Sequence, residues 1–160
     1  MATQKFLYLL RHGEAIPGIG QIGDIKRPLS DLGKSHIKRL LKTLEDRKTE
    51  FDLILISPSV RTSQTAKIIS DAIPPKKIVV DKDIYDAEVE DLLKILQNIE
   101  SLTEKILMVG HNPALSSLVT YLTGDESINM NPGMMAIIEI LVDDWLHVGK
   151  NAGLLVDLIN

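Results

Sequence analysis

The stretch Phe6-Leu7-Tyr8-Leu9-Leu10-Arg11-His12-Gly13-Glu14 decides how this chain folds and where its chemistry sits. Phe6 to Leu10 reads as a strand buried on both faces, as in a mostly parallel sheet covered by helices. It ends abruptly in a cation, an imidazole and a glycine. Ligands of open α/β sheets bind where the strands end. An imidazole at that edge can act as a nucleophile, and the adjacent guanidinium matches the oxygen geometry of a phosphoryl group. Gly13 has a steric reason to be small, because a side chain there would crowd the turn that carries His12.

Working outward, Glu14 to Pro28 is a Gly-, Ile- and Pro-containing loop that must lie beside the Arg-His turn. Ser30 suits a helix cap, and Leu32, Ile37, Leu40, Leu41 and Leu44 form a helical stripe. Phe51 to Ile56 is a second buried strand, stopped at Ser57-Pro58 because proline has no amide for a ladder. Arg61 to Ile73 is a helix ended by Pro74-Pro75. Ile78-Val79-Val80 is a short strand, and Val89 to Ile99 a helix with Leu92, Leu93 and Leu96 inward. Lys105 to Val109 is another buried strand, followed by Gly110-His111-Asn112-Pro113. Pro113 suits the first turn of a helix running to about Leu122. Ala136 to Val142 and Gly153 to Ile159 are apolar runs, and Asp143-Asp144-Trp145-Leu146 resembles a hairpin connection between them. The expected fold is α/β: a three-layer sandwich whose mostly parallel sheet is flanked by helices and ends in an antiparallel edge of C-terminal strands. No repeat or linker interrupts residues 1–160, so one domain is expected.

Bulk properties exclude several classes. The chain has 160 residues, enough for one domain to bury roughly 70% of its unfolded surface. With 18 Lys and Arg against 22 Asp and Glu the net charge is -4. Pro74-Pro75-Lys76-Lys77 is the nearest approach to a basic stripe, so a nucleic-acid partner is not expected. The absence of cysteine removes thiolate chemistry, thiolate zinc sites and disulfides, and fits a reducing compartment. Met1-Ala2-Thr3-Gln4-Lys5 lacks the features of a signal peptide. No apolar run reaches the length of a membrane span, so a cytoplasmic protein is expected. Nothing marks an obligate interface, and a monomer is compatible with the sequence.

Of the histidines, His12 and His111 each follow a buried strand directly, whereas His36 lies mid-helix and His147 in the tail; neither of the latter is assigned a role. Strand ends of a parallel sheet share one edge, so His12 and His111 can converge. The segment Ser57-Pro58-Ser59-Val60-Arg61-Thr62 delivers Arg61 to the same rim, on a helix whose N-terminal amides face any bound anion. Two imidazoles and two guanidiniums, with no prominent carboxylate, fit a metal poorly and a dianionic phosphoryl group well. One neutral imidazole would attack phosphorus, and the remaining groups would balance charge on the oxygens in flight.

These motifs resemble the histidine phosphatase superfamily, and most nearly its short bacterial branch typified by phosphohistidine phosphatase. The resemblance runs from Leu9-Leu10-Arg11-His12-Gly13-Glu14-Ala15, through Ser57-Pro58, Arg61-Thr62 and Thr65-Ala66, to Val109-Gly110-His111-Asn112-Pro113. It implies that His12 becomes phosphorylated, that Arg11 and Arg61 bind phosphoryl oxygens and that His111 stabilises the transition state. Arg27, in Arg27-Pro28-Leu29-Ser30, matches a further phosphate-binding arginine; Ser57 and Asn112 would orient the site. Neither a metal nor another cofactor is implied.

The chain departs from larger relatives in its proton donor. They place a carboxylic acid in a mid-chain insertion or directly after the second histidine, where Asn112 stands here. Asp86 and Glu88, in Tyr85-Asp86-Ala87-Glu88, occupy the segment where a donor would be sought, while Glu14 reads as structural. General-acid help is worth about 10²–10⁴-fold for a poor alkoxide leaving group, and a protonated imidazole leaves without it. The expected substrate is therefore the phosphohistidine of a partner protein. The alternatives are a small phosphate ester, such as a sugar or nucleotide phosphate, and a phosphoryl-binding module without turnover. Mutase activity fits poorly, because little of the chain is available to enclose a bisphosphate.

Overall fold

A computed structural model describes residues 3–18 and 23–160; residues 1–2 of the N-terminal stretch and residues 19–22 of the loop after Glu14 lie outside it. The strands are β1 (Lys5–Arg11), β2 (Leu53–Ile56), β3 (Lys77–Val80), β4 (Lys105–Gly110), β5 (Met135–Ile140) and β6 (Gly153–Ile159). The helices are α1 (Asp31–Asp46), α2 (Val60–Ala72), α3 (Val89–Gln97) and α4 (Ala114–Thr123). All six strands join one sheet in the order β3-β2-β4-β1-β5-β6. The first four run parallel, while β5 pairs antiparallel with β1 and β6 antiparallel with β5. The fold is the expected α/β sandwich with an antiparallel C-terminal edge.

The period of two along each strand separates two cores. Leu7, Leu9, Ile106 and Met108 point to one face, where α3 and α4 supply Leu92, Leu96, Leu115 and Leu118. Leu10, Ile54, Leu107 and Val109 point to the other, against Ile37, Leu40, Ala66 and Ile69 of α1 and α2. Both faces of β4 are thus covered, which is why its sequence is continuously apolar rather than alternating.

Three sequence expectations change. Leu32 is 64% exposed; the inward face of α1 is carried by Gly33, Ile37, Leu40 and Leu44. Pro113 precedes α4 rather than occupying its first turn. The β5–β6 connection is longer than a hairpin turn, because Trp145 is fully buried. Its indole joins the core packed under α3 and α4, and its Nε1 donates to the Thr103 carbonyl at 2.6 Å. An aromatic of this size gains more from burial than a tight turn would allow.

Gly33 has a sharper steric role than its place in a helix suggests. A Cβ there would stand 2.2 Å from the Glu14 carbonyl oxygen, so α1 packs directly on the chain leaving His12. In an open helix Gly→Ala is expected to stabilise by about 1 kcal/mol. Here Gly33→Ala should instead destabilise by about 1–3 kcal/mol through overpacking, measured by urea unfolding. A neutral or stabilising result would show that the loop is not seated on α1.

Candidate active site

Register builds the site. Arg11 of β1 pairs with Gly110 of β4, so the next residues, His12 and His111, emerge side by side with ring centroids 5.4 Å apart. On the other flank of β4, Ile56 pairs with Val109, and the chain turns through Ser57 into α2. Ser59 caps that helix by accepting from the Thr62 amide, while Thr62 Oγ1 donates to the Ser57 carbonyl at 2.7 Å. The Thr62 amide is therefore used within the chain and is not free for an anion. Thr65 Oγ1 donates to the Arg61 carbonyl and accepts from the Gly13 amide. Through Thr65 the first turn of α2 is fastened to the turn that carries His12.

The His12 ring has an assignable tautomer. His12 Nδ1 lies 2.7 Å from the Gly13 carbonyl. A carbonyl only accepts, so Nδ1 holds the proton and Nε2 presents its lone pair. Arg61 Nε donates to that Nε2 at 3.2 Å. Burial, opposed by the Gly13 hydrogen bond and reinforced by Arg61, brings the His12 pKa down to about 4. His111 Nδ1 lies 3.4 Å from Arg61 Nη2, and its Nε2 is 2.7 Å from Ser57 Oγ. Burial and then Arg61 bring its pKa to about 4 as well. Both rings are neutral at physiological pH.

Arg11 donates from Nη1 to the Met130 carbonyl at 2.8 Å. Its buried Nε has no partner, alone in this among the side-chain polar atoms of the described residues. An unpaired buried donor costs about 1–3 kcal/mol, which a bound oxyanion would recover. Asn112 Nδ2 donates to the same Met130 carbonyl, so Asn112 supports Arg11 rather than facing the imidazoles. Gly13 has a steric reason to be small, but it comes from α1 rather than from its own turn: a Cβ would meet the Gly33 carbonyl at 3.1 Å and Ile37 at 3.1 Å.

A carboxylate that sequence reasoning missed is part of the cluster. Asp24 Oδ2 accepts from Arg61 Nη2 at 3.0 Å and from the Tyr85 hydroxyl at 2.5 Å. Its Oδ1 accepts from Arg27 Nη1 at 3.1 Å. These donors, Tyr85 foremost and then Arg61, hold its pKa at about 2. Arg27 thus joins the site through Asp24, with its Nε on the Ile16 carbonyl, and touches neither imidazole. The only sequence signal for Asp24 was its place in a loop obliged to pass the Arg-His turn.

Asp86 and Glu88 line the cavity beside the cluster, about 400 Å³ in volume, together with Asp24, Arg61, Tyr85 and His111. Glu14 accepts from Ser30 Oγ at the start of α1 and serves structure. His36 packs its ring on Gly133, whose amide donates to the Arg11 and His12 carbonyls; it supports the turn rather than standing in solvent. His147 is exposed. A larger hollow of about 690 Å³ beside Asp52, Lys76 and Leu102 includes none of these site residues. Among the described residues no cluster of three or more His, Asp and Glu could hold a metal ion, and no helix is long and apolar enough to cross a membrane.

Comparison with known proteins gives the family and the fold. The family model of the histidine phosphatase superfamily (branch 1) matches residues 7–94. A protein of Picosynechococcus sp. described as uncharacterized is 32% identical over 111 residues, covering 68% of this chain and 67% of that protein. The phosphohistidine phosphatase SixA of Escherichia coli is 25% identical over 126 residues, covering 76% of each. Among solved structures, protein histidine phosphatase SixA complexed with tungstate superposes with a TM-score of 0.83 at 21% identity, over 97% of this chain and 96% of that one. The same fold also occurs in a phosphatase named for a small ester, glucosyl-3-phosphoglycerate.

The lowered histidine pKa values make a stability prediction. Both imidazoles titrate near 4 when folded and near 6.5 when unfolded, so the unfolded chain binds protons first as pH falls. Stability should decline from about pH 6.5 to about pH 4, and His12→Asn or His111→Asn should flatten the decline in urea titrations. An unchanged slope in both variants would mean that the rings are not buried as neutral groups.

Proposed function

The chain belongs to branch 1 of the histidine phosphatase superfamily, a phosphatase by that membership, and we propose that it removes phosphate from phosphohistidine residues of proteins without a metal ion. The observation that carries this reading is the hydrogen bond from His12 Nδ1 to the Gly13 carbonyl. It commits the ring to the tautomer in which Nε2 can attack phosphorus, and the lowered pKa keeps that nitrogen unprotonated, its lone pair exchanging the Arg61 Nε–H for phosphorus.

In the first step the His12 Nε2 lone pair forms a bond to phosphorus as the substrate's phosphorus–nitrogen bond breaks. The partner imidazole departs with the electron pair, neutral if its ring entered protonated. Arg61 and the unpartnered Nε of Arg11 would hold the equatorial oxygens, and His111 would donate to them from Nδ1, with the Ser57 hydroxyl donating to its Nε2. Water then attacks phospho-His12, releasing inorganic phosphate and restoring the imidazole. Ser57 would orient His111, which lies within hydrogen-bond distance of it.

Proton supply supports this substrate class. Asp24, with its pKa near 2, is ionised at neutral pH and cannot protonate a leaving group. A phosphohistidine substrate does not need such an acid, and SixA of E. coli, a relative by sequence, is named for that activity. A second reading has its own observation: Asp86 and Glu88 line the same cavity as His111. Either could serve as the acid required by a small phosphate ester.

The test is kcat/KM for a phosphohistidine-bearing protein against p-nitrophenyl phosphate and sugar phosphates, with and without EDTA. Phosphohistidine should be preferred, EDTA should have no effect, and His12→Ala should abolish turnover and phospho-enzyme trapping. The acid limb of kcat/KM, governed by His12, should lie near pH 4 rather than 6.5. Preference for a sugar phosphate, with loss in Glu88→Gln or Asp86→Asn, would favour the ester reading. Oxyanion binding without turnover on any substrate would leave a binding module.

A further inference from the structure

Arg61 is held on two edges of its guanidinium. A guanidinium offers one fork from Nε and Nη2 along its side and a second from Nη1 and Nη2 across its end. The side fork faces the imidazoles: Nε lies 3.2 Å from His12 Nε2 and Nη2 lies 3.4 Å from His111 Nδ1. The end fork is clasped by one residue, with Nη1 on the Asp24 carbonyl at 2.7 Å and Nη2 on Asp24 Oδ2 at 3.0 Å.

We infer that Asp24 is a positioning residue that aims the side fork of Arg61 at the space between the two imidazoles, where the phosphoryl group is transferred. This rests on the reading of His12 and Arg61 above. Asp24 clasps only the end of the guanidinium, so the edge an oxyanion would take is held by neutral imidazole nitrogens and not by a carboxylate. Its own carboxylate is fixed from two sides: Tyr85 donates to Oδ2 and Arg27 donates to Oδ1. The Tyr85 ring also stands edge-on to His111, 5.4 Å between centroids and 85° between planes, so one residue touches both the brace and the second imidazole. Arg27 therefore serves phosphate binding at one remove, by holding the carboxylate that holds Arg61.

Misplacing a catalytic group by about 1 Å can cost about 10²-fold in rate. Asp24→Ala should accordingly lower kcat/KM for p-nitrophenyl phosphate by about 10–100-fold, mainly in kcat. Its affinity for vanadate, which mimics the transition state, should fall more than its affinity for inorganic phosphate. Asp24→Asn keeps an acceptor oxygen for Arg61 and should recover part of the loss. Tyr85→Phe should show a smaller loss of the same kind. Thermal melts accompany each variant, and if Asp24→Ala does not fold, the Asp24→Asn result decides. Unchanged kcat/KM and vanadate affinity would overturn the inference, and so would tighter vanadate binding, which would make Asp24 a competing anion. A wild type inactive on phosphohistidine but active on p-nitrophenyl phosphate would refute the substrate reading and leave this comparison intact.

Discussion

Parallel pairing of β1 with β4, in the register that sets Arg11 opposite Gly110, is the constraint from which the site follows. Two residues far apart in the chain each come first after a strand, and the ladder makes them neighbours. A slip of one residue would turn every side chain of β1 to the opposite face, exchanging Leu7 and Leu9 with Leu10 between two closed cores. The hydrophobic packing on both faces thus protects the alignment of His12 with His111. β2 extends the same logic by one strand and brings Arg61 in on the first turn of α2.

Burying two imidazoles beside two guanidiniums is costly unless their charges and protons are managed. The protein meets this in three ways. The histidines remain neutral, which removes two potential positive charges from the cavity. Asp24 supplies the negative charge that compensates Arg61, and Tyr85 and Arg27 in turn keep that carboxylate ionised. Arg11 is left with a buried donor unsatisfied. A dianion there would give that donor a partner and complete the electrostatic balance.

Rigid placement comes from small residues and buried hydroxyls outside the reacting cluster. Gly33 and Gly13 let α1 approach the His12 turn closely, Thr65 ties α2 to that turn, and Thr62 ties α2 to Ser57 at the end of β2. These groups carry no charge and no catalytic chemistry, yet they set how closely Arg61 and His12 lie. Trp145 does comparable work at the far end of the sheet, filling the core beneath α3 and α4.

β2, β4 and β5 were legible in the sequence because burial on both faces leaves continuous apolar runs, and the ends of β1, β2 and β4 were marked by glycine or proline close by. That pattern was enough to place Arg11, His12, Arg61 and His111 on one edge, and the motifs around them pointed to the superfamily. Leu32 and Trp145 were misjudged for related reasons: periodicity cannot tell which member of a stripe lies at its rim, nor whether an aromatic in a connection turns inward. Asp24 was illegible because its loop has no period and its partners, Arg61 and Tyr85, come from distant segments. The roles of Arg27 and Asn112 as supports depend on the same kind of contact. Local pattern determined which strand ends carry chemistry, since burial and chain termination act over a few residues. Only the tertiary structure decided what braces that chemistry, because hydrogen bonds between loops depend on how the packed sheet brings their ends together.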